Sequence, residues 1–330
     1  MKTSSSIMAV AELAGVSIAT VSRVLNNSKP VNDKTRERVE AAIAHLRFRP
    51  NAAGRSLAAA QSRILLVLVP DFANPYYAQI VQGVEAVARQ NNYRIVLADA
   101  LDLTDGQRSP LETLYDRLAD GVVNLTHIDD QPELMEEVRQ LPWIACSEFS
   151  AESGITHVSI DHKQAAIDAV QYLLNQGHRR IALITADEKY LWSRRRREGY
   201  AEALARAGIA VDPDLIQVAR GTDYAYGGEA AGGLLALREQ PTAVFAVSDT
   251  LAIGAIKAFR RAGRQVPHDI AVVGFDNIPL SEVFEPGITT IAQPMRELGE
   301  TAARLLLERL AGGTPRSVTL AHRLIVRESA

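Results

Sequence analysis

The chain has 330 residues, 47% of them hydrophobic and 23% charged, which is typical of a globular protein of about two domains. This composition excludes a disordered chain, a collagen-like repeat and a coiled-coil rod. The single cysteine, Cys146, rules out an intrachain disulfide, and the first thirty residues lack the apolar segment of a secretion signal. We therefore expect a protein of a reducing compartment with no membrane span.

The net charge of −3 is unevenly distributed along the chain. Residues 1–60 carry nine lysines and arginines against four acidic residues, a net charge of +5, whereas residues 61–330 carry −8. A basic segment before an acidic body favours polyanion binding by the N-terminus, although chance clustering explains a charge of this size about equally well.

Two short helices joined by a tight turn are predicted near the N-terminus. Ser6 can cap a first helix that Gly15 ends, and Ser17 can cap a second helix over residues 18–26. A third helix follows Asn32, which completes a compact basic bundle. Two helices across a glycine-containing turn are typical of a helix-turn-helix, and a small protein-binding module is the alternative interpretation.

In a helix-turn-helix the second helix enters the major groove, where its exposed side chains reach base edges. Arg23 can donate to guanine O6 and N7, whereas Ile18 and Ala19 can only pack on thymine methyl groups or sense groove shape. The candidate DNA-binding residues of these helices are Ser6, Ser17, Ile18, Ala19, Thr20, Ser22, Arg23 and Asn26.

From residue 63 onward, short apolar runs alternate with amphipathic stretches. The predicted strands are 64–69, 94–98, 121–125, 143–146, 158–160, 181–184, 215–219, 243–247, 270–274, 288–292 and 318–326. The predicted helices are 76–89, 111–119, 132–140, 163–175, 194–207, 226–238, 251–262 and 295–310. Such alternation indicates α/β structure with parallel sheets, and two runs of five strands favour two Rossmann-like lobes over one barrel.

Open α/β sheets bind ligands beyond the carboxyl ends of their strands. Polar side chains follow the predicted strands at Asp71, Ser147, Glu148, Asp161, Arg196, Asp249 and Asp276. Ten of the 18 aromatic residues also follow strands, namely Phe72, Tyr76, Tyr77, Phe149, Tyr190, Trp192, Tyr224, Tyr226, Phe275 and Phe284. We expect a cleft in which an arginine and aspartates hold hydroxyl groups and aromatic walls hold a ring. Asp249 could instead cap a helix, and Phe275 and Phe284 could be packing residues.

Short motifs follow one another in a defined order along the chain. They are Ala14-Gly15-Val16-Ser17, Thr20-Val21-Ser22-Arg23, Pro50-Asn51, Asn74-Pro75-Tyr76-Tyr77, Gly177-His178-Arg179-Arg180-Ile181 and Gly274-Phe275-Asp276-Asn277. Each is weak by itself, but their order and spacing over essentially the whole chain resemble the LacI/GalR repressor family. That resemblance implies an all-α helix-turn-helix head, a hinge helix, and a two-lobed α/β domain of the periplasmic-binding-protein type.

The resemblance also implies domain boundaries and a DNA-binding hinge. The head would span residues 1–50, the hinge 51–62 and the effector-binding and dimerisation domain 63–330. Lobe 1 would comprise about 63–160 and 293–319, and lobe 2 about 162–291 and 321–330. Hinge residues Asn51, Arg55, Leu57 and Ala58 match DNA-contacting positions. Leu57 would wedge into the minor groove, or it is an ordinary linker residue. Ala58 stands where the family often has a basic residue, which weakens minor-groove electrostatics.

The family match assigns Arg196 and Asp276 to a clamp for sugar hydroxyls. It places Asp161 beside them, at a crossover between lobes, and Tyr76 and Tyr77 over the ring of the ligand. Within the family, the chain is most similar to the branch that responds to cytidine. The effector-binding residues implied are Asp71, Tyr76, Tyr77, Ser147, Glu148, Asp161, Tyr190, Trp192, Arg196, Asp223, Asp249 and Asp276. Tyr190 and Trp192 suit a stacked pyrimidine nucleoside, and a plain sugar is the second candidate.

The function implied is repression of transcription in the bacterial cytoplasm, at the nucleoid. The partners expected are double-stranded operator DNA, a second copy of the chain, a nucleoside or sugar effector, and a cooperating transcription activator. No catalytic motif, and no zinc spacing among the seven histidines, is present in the sequence, so we expect no enzyme, cofactor or metal. The alternatives are an enzyme, a solute-binding protein of the same fold, and a constitutive architectural DNA-binding protein.

Overall fold

A computed structural model of the chain describes residues 6–26, 30–48, 61–99, 110–128, 132–149 and 154–330. The chain divides into two compact units, residues 1–62 and residues 63–330. The hinge positions Asn51, Arg55, Leu57 and Ala58 lie outside the described residues.

The first unit contains the predicted helix-turn-helix. Its described helices are α1 (Ile7–Ala14), α2 (Ile18–Asn26) and α3 (Asp33–His45). The side chain of Ser6 accepts from the amide of Ala9 at 3.2 Å, and Gly15 ends α1 in the left-handed region at φ 62°. Ser17 Oγ accepts from the amide of Thr20 at 3.2 Å. These caps confirm the helix boundaries predicted from the sequence, because capping is a local interaction.

No single helix in the described ranges is long and apolar enough to cross a membrane; α1 and α2 pass that test only when taken together, and they are bent by 103°.

The second unit alternates strands and helices. Its strands are β1 (Ile64–Val69), β2 (Arg94–Asp99), β3 (Gly121–Asn124), β4 (Trp143–Cys146), β5 (His157–Ile160), β6 (Ile181–Thr185), β7 (Ile216–Val218), β8 (Ala243–Ala246), β9 (Ala271–Asp276), β10 (Thr289–Ala292), β11 (Val318–Leu320) and β12 (Arg323–Ile325). Its α-helices are α4 (Pro75–Gln90), α5 (Pro110–Tyr115), α6 (Pro132–Val138), α7 (His162–Asn175), α8 (Leu191–Arg206), α9 (Tyr224–Leu235), α10 (Asp249–Arg261), α11 (Leu280–Val283) and α12 (Met295–Leu310).

The strands form two six-stranded sheets with equivalent strand order. Lobe 1 has the order β2-β1-β3-β4-β5-β11 and lobe 2 the order β7-β6-β8-β9-β10-β12. All neighbours are parallel except β10 and β12. Central strands such as β4 and β8 are buried along their whole length, as expected for sheets covered by helices on both faces. The predicted α/β class with two Rossmann-like sheets is therefore confirmed.

The chain crosses between the lobes after β5, after β10, and again between β11 and β12. The single strand predicted over residues 318–326 is wrong, although the lobe ranges implied by the resemblance already placed residues 319 and 321 in different lobes. Two strands are formed instead, because β11 pairs with β5 at the edge of one sheet and β12 pairs with β10 at the edge of the other.

Candidate functional site

A cavity of about 190 Å³ lies between the lobes, where strands of both sheets end. Nine of the twelve effector positions predicted from the sequence line it: Asp71, Tyr76, Tyr77, Ser147, Glu148, Tyr190, Trp192, Arg196 and Asp276. They come together because the carboxyl ends of parallel strands lie at one edge of each sheet, and these two edges face the same space.

Arg196 is the central cation of the cavity. Its side chain is buried, and its Nη1 lies 3.7 Å from Asp276 Oδ1 and donates to the carbonyl of Val247. The guanidinium carbon lies 3.6 Å from the ring centroid of Phe275 and 4.9 Å from that of Trp192. Burial lowers the pKa of Arg196, and Asp276 opposes that shift, so the two form a partly desolvated pair.

Asp276 ends β9 with a left-handed backbone, φ 110°, and lines the cavity. Its Oδ1 accepts from Gln293 Nε2 at 2.8 Å. Burial raises the pKa of Asp276 to about 7, while Arg196 acts in the opposite direction. Near neutral pH this carboxyl can therefore be a charged acceptor or a protonated donor.

Lobe 1 contributes a pair of hydroxyl groups. Tyr76 Oη and Ser147 Oγ are 2.7 Å apart, and Tyr76 donates to Gln293 Oε1 at 3.2 Å. Burial raises the pKa of Tyr76 well above its ordinary value, so the phenol stays protonated. Ser147 adopts φ 70°, and the ring of Tyr77 meets that of Tyr76 edge-on at 5.1 Å.

Glu148 reaches from lobe 1 to a helix of lobe 2. Its carboxylate is buried, and Oε1 accepts a hydrogen bond from the amide of Leu191 at 2.8 Å. This bond caps the N-terminus of α8. The same Oε1 lies 3.6 Å from His127 Nδ1. The N-cap residue of α8, Tyr190, makes no side-chain cap of its own. Within the described part of the chain, Glu148 Oε2 is buried and has no hydrogen-bond partner. An unpaired buried acceptor in a cavity is a place where a ligand donor gains free energy.

An aromatic wall completes the cavity. The rings of Tyr190 and Trp192 stack with centroids 5.6 Å apart and planes 16° apart, and His127 meets Tyr190 edge-on at 5.7 Å. Other predicted aromatics lie elsewhere: Phe72 is exposed, and Phe149 stacks on a histidine outside the cavity. Phe275, predicted as a packing residue, is fully buried and also supports the guanidinium of Arg196.

Two predicted effector residues are helix caps instead. Asp161 caps α7 by accepting from the amide of Gln164 at 2.9 Å, and Asp223 caps α9 by accepting from the amide of Ala225 at 2.7 Å. Neither lines the cavity. A carboxylate at a helix N-terminus is stabilised by the free amides there, which the sequence analysis did not weigh for these positions.

Asp249 matches neither interpretation offered for it. Ser248 is the N-cap of α10, and Asp249 is buried and does not line the cavity. It accepts from the amide of Ile278 at 2.9 Å and from Ser281 Oγ and Thr290 Oγ1, each at 2.6 Å. Burial raises the pKa of Asp249 to about 6, and its role is to hold the segment after β9.

Several polar residues at the cavity were not predicted from the sequence, among them His127, Ser248 and Gln293. His127 and Ser248 line it, and Gln293 joins Tyr76 to Asp276. These three lie one to three positions beyond the last residues of β3, β8 and β10, so the strand-end criterion could have found them. No group of three or more metal-ligating side chains occurs in the ranges that the structure describes.

In the first unit, α2 presents the predicted DNA-contacting side chains. Ser17, Ile18, Ala19 and Arg23 are exposed, whereas Thr20 and Ser22 are partly buried. Ser6 caps α1 and Asn26 is the last residue of α2. The helix therefore offers one cation and an apolar N-terminal surface to a partner.

Comparisons with known proteins agree with this arrangement. A model of bacterial regulatory proteins of the lacI family matches residues 6–51, and a periplasmic binding protein-like domain matches residues 170–330. The HTH-type transcriptional repressor CytR of Escherichia coli strain K12 is 38% identical over 314 residues, which cover 94% of this chain and 91% of that protein. The chain belongs to the LacI family.

Two further relatives support the membership. The ribose operon repressor of Escherichia coli strain K12 is 36% identical and covers 92% of this chain and 93% of its own length. The lac repressor dimer bound to operator and the anti-inducer ONPF is 30% identical, with a TM-score of 0.84 over 97% of each chain. This LacI-family chain is a DNA-binding transcriptional repressor, and repressors of the family bind operator DNA and small effectors and form dimers.

Proposed function

We propose that a pyrimidine nucleoside, such as cytidine, binds in the cavity and weakens operator binding by this LacI-family repressor. The observation that carries the proposal is the buried Arg196–Asp276 pair beside the stacked rings of Tyr190 and Trp192. A guanidinium and a carboxylate together match vicinal ribose hydroxyls, and a planar aromatic wall matches a base. A nucleoside needs both features within one small cavity.

Glu148 supports a base that carries an N–H donor. Its Oε2 is the buried acceptor for which the described residues offer no partner, and it lies in the same cavity as Tyr190. The exocyclic amine of cytosine and the ring N–H of uracil both donate hydrogen bonds. The motif resemblance to the cytidine-responsive branch of the family points the same way.

On DNA, we propose that a homodimer reads two half-sites through α2, with Arg23 at a guanine and Leu57 of the hinge at the minor groove. The protein would act at the nucleoid in the cytoplasm, together with a cooperating activator, and would carry out no catalysis. These assignments rest on the exposed side chains of α2 and on the family resemblance.

A sugar is the second candidate effector. The relative named as the ribose operon repressor is nearly as similar as CytR. The Arg196–Asp276 pair could hold a pentose alone, with the aromatic wall packing on the sugar ring.

The test is thermal denaturation of the purified protein with cytidine, uridine, adenosine, their bases, ribose and hexoses. A ligand present at about 100 times its Kd stabilises the folded state by ~2.7 kcal/mol and raises Tm by several degrees. We expect a shift with cytidine or uridine. A shift with sugars alone would replace the nucleoside by a sugar, and no shift with any compound would remove the effector proposal.

A further inference from the structure

Arg196 has a second partner that belongs to neither the clamp nor the aromatic wall. His162 is the first residue of α7, directly after the first crossover between lobes. Its buried Nδ1 lies 3.4 Å from Arg196 Nε and 3.3 Å from Arg196 Nη2. Because a guanidinium can only donate, Nδ1 must be the acceptor.

The identity of the acceptor fixes the tautomer of His162. Burial and the nearby Arg196 hold the pKa of His162 well below its ordinary value, so the ring is neutral and its one proton lies on Nε2. Nε2 then donates to Ser159 Oγ at 3.2 Å, and Ser159 in turn donates to the carbonyl of Ser147 at 3.2 Å. A directed chain of hydrogen bonds thus runs from Arg196 in lobe 2 to Ser147 in lobe 1.

A second series of contacts leads from Ser147 back to Arg196. Ser147 Oγ is 2.7 Å from Tyr76 Oη, Tyr76 donates to Gln293, and Gln293 donates to Asp276, which faces Arg196 at 3.7 Å. The result is a closed ring of buried residues: Arg196, His162, Ser159, Ser147, Tyr76, Gln293 and Asp276. The ring joins both lobes and passes through two of the crossovers, at His162 and at Gln293.

We propose that His162 is a positioning residue for the effector response: through Nδ1 it orients Arg196 toward the effector, and through Nε2 it couples Arg196 to the Ser159–Ser147 side of lobe 1. This inference rests on the proposed effector cavity but assigns a role to a side chain that does not line it. Each nitrogen has a separate function, so the two functions are separable by substitution.

The test uses two amide substitutions in the full-length protein. The amide of asparagine reaches the position of imidazole Nδ1, and that of glutamine reaches the position of Nε2. His162→Asn therefore keeps an acceptor for Arg196 and loses the link to Ser159, whereas His162→Gln does the reverse. His157→Asn is the matched control, because His157 precedes the same crossover but bonds Ser317 outside the ring.

Cytidine affinity is measured by calorimetry, and operator affinity by fluorescence anisotropy with and without cytidine at one salt concentration. Coupling is the ratio of the two operator affinities, and allosteric proteins commonly show about 5–150-fold. We expect His162→Asn to bind cytidine as the wild type does while its coupling falls toward 1. We expect His162→Gln to bind cytidine about tenfold or more weakly, because Arg196 loses its acceptor. Two results would overturn the proposal. One is an equal loss of cytidine affinity and coupling in both variants, together with an equal fall in Tm. The other is no change in either variant.

An arm without effector separates this inference from the proposed function. If the wild type responds to no nucleoside or sugar, the proposed function fails, and the ring is tested by Ser159→Ala, Gln293→Leu and the double variant. Each substitution removes one link of the ring, so the double variant should lower Tm by clearly less than the two single changes added together. Strictly additive changes would overturn the ring as a coupling unit.

Discussion

At the scale of single residues, neighbouring side chains of the same type differ in burial and in the partners that they contact. Arg194, Arg195, Arg196 and Arg197 are consecutive on α8, yet only Arg196 is buried. Arg195 and Arg197 pair with exposed glutamates of the same region. Such surface pairs contribute little to stability, whereas the desolvated Arg196 interacts strongly with whatever enters the cavity.

Substitution of Arg196 should separate effector binding from DNA binding. Arg196→Ala removes the cation that faces Asp276, and we expect effector affinity to fall by roughly 2–5 kcal/mol while operator affinity in the absence of effector is retained. Arg195→Ala, one residue away and exposed, should change neither quantity. Calorimetry and operator anisotropy measure both, and a normal response in Arg196→Ala would place the clamp elsewhere.

Effector affinity should depend on pH through Asp276. Burial raises its folded-state pKa to about 7, above an unfolded value near 3.9, so folding takes up a proton between these values. The stability contributed by this group is present below the unfolded pKa and is lost as pH rises through 7. Ligand hydroxyls donate more strongly to the charged carboxylate than to the protonated carboxyl, so effector affinity should fall below pH 7, by at most about tenfold per pH unit. Calorimetry from pH 6 to 8 tests this, and a flat profile would contradict it.

Arg23 should carry sequence specificity. It is exposed on α2, and Arg23→Ala should cost roughly 1–3 kcal/mol of operator affinity and relax the preference at one base position. Lys34→Ala removes the same charge from outside α2 and should weaken every sequence equally. The measurement is anisotropy against operators with single-base changes. An equal loss on all of them for Arg23→Ala would make Arg23 a phosphate contact.

At the scale of elements, glycine lets helices approach closely on the sheets. A Cβ at Gly83 of α4 would lie 2.1 Å from the carbonyl oxygen of Arg296, and one at Gly299 of α12 would lie 1.9 Å from that of Ile80. The two glycines face each other's helix backbones, so α4 and α12 pack with almost no space between them. Helix α12 begins at Met295, two residues after Gln293 and the second crossover. The contact with α4 therefore holds in place the helix that follows Gln293.

A methyl group at this contact should be costly. We expect Gly299→Ala to destabilise the protein by roughly 1–3 kcal/mol, because backbone atoms cannot move aside as side chains do. The matched control is Gly232→Ala on α9, where a Cβ would meet nothing within 4 Å. We expect this substitution to stabilise the helix by about 0.5–1 kcal/mol. Denaturant unfolding measures both, and equal effects would show that close approach is unimportant.

At the scale of the whole molecule, the chain crosses between the lobes, and both lobes contribute residues to the effector cavity. Lobe 1 supplies Tyr76, Ser147 and Glu148, and lobe 2 supplies Arg196 and Asp276. An effector that contacts both sets binds best at one relative position of the lobes. Its binding free energy can therefore act on lobe geometry.

Effector and operator should affect each other equally. If cytidine lowers operator affinity by a given factor, operator must lower cytidine affinity by the same factor. Calorimetric titration of cytidine into free protein and into the protein–operator complex gives this factor independently of anisotropy. A factor of 1 in both measurements would mean that cytidine does not act on operator binding, and tighter binding of cytidine to the operator complex would make cytidine a co-repressor.

Local interactions determined what could be predicted from the sequence alone. The helix-turn-helix follows from the caps at Ser6, Gly15 and Ser17, and the α/β alternation follows from apolar runs of strand length. Nine of the residues that line the cavity were predicted, because parallel strands bring their carboxyl ends together and because the family resemblance pointed to these positions.

Contacts between residues far apart in the sequence determined the features that could not be predicted. Residues 318–326 form two strands because two different sheet edges take them, and Asp249 is buried because Ser281 and Thr290 reach it from other elements. The ring through His162 and Gln293 includes a hydrogen bond between Tyr76 and Gln293, which are 217 positions apart. Caps and periodicity act within a few residues, so a pattern in the sequence can reveal them. The partner of a buried polar group is chosen only when the whole chain packs.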